Sequence, residues 1–332
     1  MDPPKPFPIL RLPFVPLQDV FKAMDPFEKI NFSLISKRTK AVAMQMTSYS
    51  THLIQLIIGE ELEVWVHELK YMTACYYMFT SKEEMNGKVE ENTWDGWNQL
   101  FVWKYSDNMI EEWQQLSKYV MELFKKQTID ILSMTLDTLV ENNVSIIDFL
   151  KTNWKSVNDC NLFQSEDKND VDEHAAYLLE NLKVNNELYS YLDIKNVNFD
   201  GKIPKNLKEL RIENSQWVGY ERLLEIDCKN VIIEKNRISN EQWNLFLKKW
   251  IAMETHLNLE YLQLDYREIE EFRALVLHDI PHEVVDGEVK RTINGYLNSH
   301  IEINGGIDIR RVDGKTATFF AFQMEFLAMS VH

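Results

Sequence analysis

Residues 12–46 read LPFVPLQDVFKAMDPFEKINFSLISKRTKAVAMQM, and their cap chemistry predicts three short helices. Pro16 at a first helical position loses no useful donor, and Leu17, Val20, Phe21 and Met24 follow at the spacing of one helix face. Asp25-Pro26 ends that helix and starts another, with Asp25 as N-cap and Glu28 three residues on. Phe27, Ile30 and Leu34 supply one face of the second helix, while Phe32 and Ile35 put apolar groups on other sides of it. Ser36 caps a third segment running through Lys37, Arg38, Lys40 and Val42. A chain below about 40 residues seldom buries enough surface to stand alone, so something else must cover these helices.

The stretch resembles the F-box, the motif that joins an Skp-type adaptor inside a cullin-based ubiquitin ligase. The likeness runs over Leu12-Pro13, the stripe ending at Met24, Asp25-Pro26, the apolar run from Ile30 to Ile35, and Ser36-Lys37-Arg38. It departs from the usual pattern at Thr39, where an aromatic residue is common, and at Pro16 inside the opening segment. The resemblance implies that Leu12, Pro13, Leu17, Val20, Phe21, Met24, Ile30, Leu34 and Ile35 make the adaptor interface or the core of the module, with Lys37 and Arg38 at the rim. The other reading is an N-terminal helical lid over the following domain.

The 332 residues leave room for such a module, residues 1–48, and a larger domain, 49–332. A hydrophobic content of 45% with 12% aromatics indicates a folded chain. The formal charge of -16 is uneven: residues 1–50 hold seven Lys/Arg against four acids, near +3, leaving about -19 for the rest. So acidic a body repels phosphate backbones, which argues against nucleic acid as a partner. Cys75, Cys160 and Cys228 are odd in number and widely spaced, and read as reduced, buried thiols. The beginning MDPPKPFPIL has no basic start before an apolar block, and no stretch reaches the length of a membrane span. A cytoplasmic or nuclear location is the expectation.

Beyond the head, 51–69 reads as a hairpin turning at Gly59-Glu60, and the polar run 81–98 as a loop, with Trp94, Trp97 and Trp103 either packing beneath it or anchoring an interface or ligand. Trp113, Leu116, Val120, Leu123 and Phe124 mark a helix over 110–126, followed by a strand at 129–134. Helix then strand recurs at 144–154 with 156–163, and at 171–182 with 188–194. The segments 207–212, 231–233 and 259–264 each look like the L-x-x-L-x-L strand of a leucine-rich repeat, with a Ser239-capped helix to Ile251 between the last two. The expected fold class is therefore α/β: three N-terminal helices, then an irregular repeat-like solenoid with β-hairpins at its ends, its strand faces forming one extended surface.

Trp217 to Leu264, especially NEQWNLFLKKWI at 240–251 and NLEYL at 258–262, resembles the type 2 F-box-associated region of a large nematode family of F-box proteins. That family places this region after an F-box, and the ending IDIRRVDGKTATFF at 307–320 looks like it too. Asp313-Gly314 is in any case a good hairpin turn, expected to cap the open end of the solenoid.

Catalytic patterns are wanting. His278 and His282 have helical zinc-site spacing, but Pro281 lies between them and H-E-x-x-H is missing. No G-x-S-x-G elbow, P-loop or G-x-G-x-x-G occurs, and Asp170, Asp172 and Glu173 suit a helix start. Neither cofactor nor metal is expected. The preferred reading is a non-catalytic subunit that binds an Skp-type adaptor, and through it a cullin, while the body recruits a target protein. The alternatives are a binding protein outside any ligase, whose head merely caps its body, and an enzyme whose site only the fold brings together.

Overall fold

The head folds as its caps dictate. The computed structural model describes residues 9–47, 52–166, 168–296, 299–322 and 325–332, so the prolines at 3–8 and residue 51 of the expected hairpin lie outside the described residues. A 3-10 turn, Ile9–Arg11, leads into α1 (Phe14–Ala23), α2 (Pro26–Leu34) and α3 (Lys37–Met46). Asp25 accepts from the Glu28 N–H at 2.8 Å, and Glu28 accepts from the Asp25 N–H at 3.0 Å. Ser36 and Thr39 make the same reciprocal pair at the start of α3. One expectation changes: α1 begins at Phe14, so Pro16 is its third residue and not its first. The N–H groups of the first turn have no intrahelical partner, so proline is tolerated there, and Leu17 makes the first α-helical bond, to Pro13 O at 3.0 Å.

The chain divides into two compact units, 1–134 with 148–158, and 135–147 with 159–332. After the head, the first unit contains β1 (His52–Ile58), β2 (Leu62–Glu68), β3 (Thr73–Thr80), β4 (Val89–Trp94), β5 (Trp97–Tyr105), α4 (Met109–Leu123) and most of β6 (Ile129–Thr135), with strand order β6-β1-β2-β3-β5-β4. The β1–β2 hairpin forms, pairing Ile54 with Val66. Burial alternates along both strands, as one helix-covered face requires. Ile54 and Leu56 of β1 and Val64 and Val66 of β2 are buried, α2 and α4 pack against β2 and β3, and the Trp113 indole donates to Glu63 O at 3.0 Å. The loop expected over 81–98 is a correction. It contains β4, which pairs antiparallel with β5 across Asp95-Gly96, a turn with φ of 48° and 80°. Every residue of β4 is exposed, so the strand has no buried face to write an alternating pattern into its sequence.

The helix α5 (Asn143–Asn153) and strand β7 (Val157–Phe163) cross the boundary between units, and α6 (Asp172–Asn181) lies wholly in the second. There follow β8 (Val184–Ser190), β9 (Leu207–Ile212), α7 (Tyr220–Glu225), β10 (Cys228–Ile233), α8 (Asn240–Ile251), β11 (Tyr261–Asp265), α9 (Ile269–Val276), β12 (His282–Asn294), β13 (His300–Arg310), β14 (Thr316–Phe322) and β15 (Phe326–Val331). The sheet order is β12-β13-β14-β15-β11-β10-β9-β8-β7. Strands β8 to β11 are parallel neighbours; α7 joins β9 to β10 and α8 joins β10 to β11, whereas β8 reaches β9 through an irregular connection without a helix. The strand expected at 188–194 lies four residues earlier, at Val184–Ser190, and Tyr191 N–H extends its pairing with neighbouring β7 by one bond, to Leu162 O at 2.9 Å, before the chain becomes irregular. Asp313-Gly314 does turn the chain between β13 and β14, but these strands sit inside an antiparallel meander whose outer member is β12. The architecture is thus α/β with helices on open sheets.

Candidate functional site

The head sorts its apolar residues by direction. Leu17, Phe21 and Ile30 are buried, and the Phe21 ring meets Phe32 edge-on at 5.3 Å between centroids. Leu12, Val20 and Met24 are half-buried, whereas Pro13, Leu34, Ile35, Lys37 and Arg38 are exposed. Leu34 and Ile35 expose 57% and 73% of their surface, unusual for two adjacent branched aliphatic side chains. Phe14 and Val15, at 44% and 63%, were not among the expected residues and are as exposed. Val15 lies off the Leu17–Phe21 stripe and was readable as outward, whereas Phe14, three residues before Leu17 and seven before Phe21, lies on it and is exposed at the helix end.

The covered side of the head is fastened by polar chemistry that sequence spacing does not reveal. Lys29 of α2 is buried and its ammonium is paired with the Glu68 carboxylate of β2, which His52 Nε2 of β1 approaches at 2.9 Å. Burial pushes Glu68 upward, but the hydrogen bonds and charges of His52 and Lys29 outweigh it and hold the carboxyl below its ordinary range. Burial lowers the His52 imidazole in spite of Glu68. The Phe27 ring lies 6.4 Å from Tyr77 of β3. Against α4, Ser33 Oγ is 2.8 Å from Tyr119 Oη, Lys40 pairs with Glu122 at 2.7 Å, and Thr47 donates to Leu123 O at 2.9 Å.

Elsewhere the candidate chemistry separates. His282 Nδ1 lies 2.8 Å from Ile280 O and His278 Nδ1 lies 3.3 Å from Leu275 O; among the described residues no group of three or more His, Cys, Asp or Glu could hold a metal. Cys75, Cys160 and Cys228 are buried, and burial raises all three thiols, the latter two to about 12. Asp172 at the start of α6 accepts from the backbone of Lys195 and Asn196 at 3.0 and 2.6 Å, so it anchors a loop. Trp94 is exposed on β4, and Trp97 and Trp103 are half-buried on β5, so these rings stand on strands and not beneath a loop. Sequence reasoning also missed Glu209 of β9. It is fully buried, and burial, with the nearby charges of Glu187 and Asp159, raises it to about 7 in spite of Tyr189 and Arg211.

Comparison with known proteins adds identity to this geometry. Residues 9–51 match the F-box domain and residues 198–264 match the F-box associated region, so the chain carries the two in that order. Over 352 aligned residues it is 21% identical to the Skn-1 dependent zygotic transcript 15 protein of Caenorhabditis elegans, covering 97% of this chain and 96% of that protein. It is 23% identical to an uncharacterized protein of the same nematode, covering 96% and 76%. No solved structure matches. No described helix is long and apolar enough to cross a membrane.

Proposed function

We propose that this F-box-bearing chain is the substrate-recognition subunit of a Skp-cullin-F-box type ubiquitin ligase. The observation that carries the reading is the F-box match over 9–51 on a head whose buried side is spent on its own sheet while Leu34, Ile35, Phe14 and Val15 stay exposed. The adaptor-binding set is then Pro13, Leu34 and Ile35 in contact, with Lys37 and Arg38 at the rim and Leu17, Phe21 and Ile30 as core. Leu12, Val20 and Met24 bridge the two. The adaptor brings a cullin; residues 49–332 bring the target, through the strand faces of a repeat-like α/β surface. The protein itself breaks no bond and needs no cofactor: it raises the effective concentration of a target lysine near the ubiquitin carrier. It works in the cytoplasm, the nucleus or both.

A second reading, helices that only cap the sheet, draws on the buried Lys29–Glu68 pair. Co-purification of the full chain with an Skp-type adaptor separates them. Stoichiometric binding that Leu34→Asp with Ile35→Asp abolishes supports the receptor; a folded wild-type chain that binds no adaptor sinks it.

A further inference from the structure

The helices of the first unit cover one face of its sheet; the other carries aromatic rings. Trp65 of β2, Tyr76 of β3 and Phe101 of β5 lie side by side in the strand register. Trp65 meets Tyr76 at 4.6 Å and Tyr76 meets Phe101 at 4.8 Å between centroids. His67 and Trp97 join them at 5.6 Å, and Trp103 lies 6.2 Å beyond Phe101. Trp94, paired with Trp97 across the β4–β5 turn, ends the row with 67% of its surface exposed. Trp65, His67, Trp97, Phe101 and Trp103 are all half-exposed. A core turns such rings inward, so a row of them left half-open marks a surface built to be covered.

The charges say by what. Residues 52–105 hold four lysines against nine Asp/Glu. On the ring face, Glu63 accepts from the Trp65 indole at 2.5 Å. Lys88 stands over the Trp103 ring at 5.4 Å to the centroid, with its ammonium 2.5 Å from Glu90. The face thus already seats one cation between an indole and a carboxylate, the arrangement in which ring quadrupole and charge act together. Acidic surroundings repel phosphate, which excludes the other common occupant of aromatic platforms, single-stranded nucleic acid.

We propose that this face docks a segment of a target protein bearing arginine or lysine side chains, laid across the Trp65–Tyr76–Phe101 row toward Trp94. Arginine is the better fit, because its planar guanidinium stacks on rings while donating to Glu63 or Glu90. In sequence, its residues fall between the two stretches that match known families. The proposal names a target class for the receptor role and rests on that reading.

The test uses the full chain, fluorescence anisotropy, and labelled short peptides alternating Gly with Arg, Lys or Glu, with a single-stranded RNA and a short oligosaccharide as further probes. The Arg peptide should bind saturably and more tightly than the Lys peptide, and the Glu peptide should not bind. Trp94→Ser and Glu90→Lys, both at exposed positions, should each weaken the Arg peptide about fivefold without changing the melting temperature. Failure of the wild type to bind, equal binding of Arg and Glu peptides, unchanged affinity in both variants, or binding of the RNA or the oligosaccharide alone overturns the proposal. Adaptor co-purification on the same proteins reads the ligase role separately: retained adaptor with no peptide binding rejects this surface and leaves that role standing.

Discussion

Lys29, Glu68 and His52 are charged or titratable, buried together, and 39 residues separate the first two in sequence. Removing one partner of such a pair leaves the other uncompensated, which typically costs about 3–5 kcal/mol. Lys29→Met should therefore lower the urea midpoint sharply, and adding Glu68→Leu should recover much of the loss. The depressed Glu68 carboxyl contributes stability that is present above its unfolded value near 4.5 and is lost as pH falls through the folded one. Two groups of the second unit pull in opposite directions. His256 is buried with Nε2 unpartnered among the described residues, and burial lowers it to about 4. The unfolded chain then binds its proton first, so stability falls as pH drops from 6.5 toward 4, by on the order of 3 kcal/mol. Glu209, raised to about 7, has the reverse sign: its contribution is whole below 4.5 and declines as pH rises to about 7. Denaturation midpoints across pH should show His256→Gln flattening the acid limb and Glu209→Gln stabilising the protein at neutral pH but not near pH 4. None of this was legible in sequence, because burial and long-range pairing create it. Asp25 with Glu28 and Ser36 with Thr39 were legible, since a cap and its partner are three residues apart.

At the scale of elements, the stripe that announces a helix does not say which residues face a partner. Leu17 and Phe21 sit on the clearest stripe of α1 and are its buried side, whereas Leu34 and Ile35 at the end of α2 are exposed. The two pairs should fail differently. Leu17→Asp with Phe21→Asp should unfold the head and lose adaptor binding as a by-product, seen as lost helical circular dichroism. Leu34→Asp with Ile35→Asp should keep the spectrum and melting temperature and lose only the adaptor in a pull-down. The cap at Ser36 is worth about 1 kcal/mol, so Ser36→Ala should lower stability by that order with little change in binding. Helices α4, α5, α6 and α8 were readable from their 3.6-residue period because each has one covered side. The edge strand β4 has none, and the long β12–β13 ribbon, broken in register between Val285 and Lys290, offers no uninterrupted alternation to read.

At the scale of the whole molecule, the division into units does not follow the division into roles. The head shares its unit with the sheet that follows it, and residues 135–147 belong to the second unit although 148–158 belong to the first. A fragment of residues 1–48 lacks the strands and α4 that bury Lys29, Ile30 and Ser33. It should be largely unfolded by circular dichroism, while a fragment of residues 1–158 should keep the head helical. The order of an F-box and its associated region was readable from short motifs. The boundary was not, since chain continuity gives no hint that a segment will leave one unit and return.

Clamped through Lys29 and Glu68, the three head helices and the first sheet turn as one piece. A receptor swinging on a loose tether sweeps its cargo across a wide cone and lets many surface amines come within range of the transfer machinery. One that holds a single bearing offers the same few each time. For a receptor of the proposed kind, the lysines modified on any one target should be few and reproducible, and releasing the clamp while keeping the adaptor bound should scatter them.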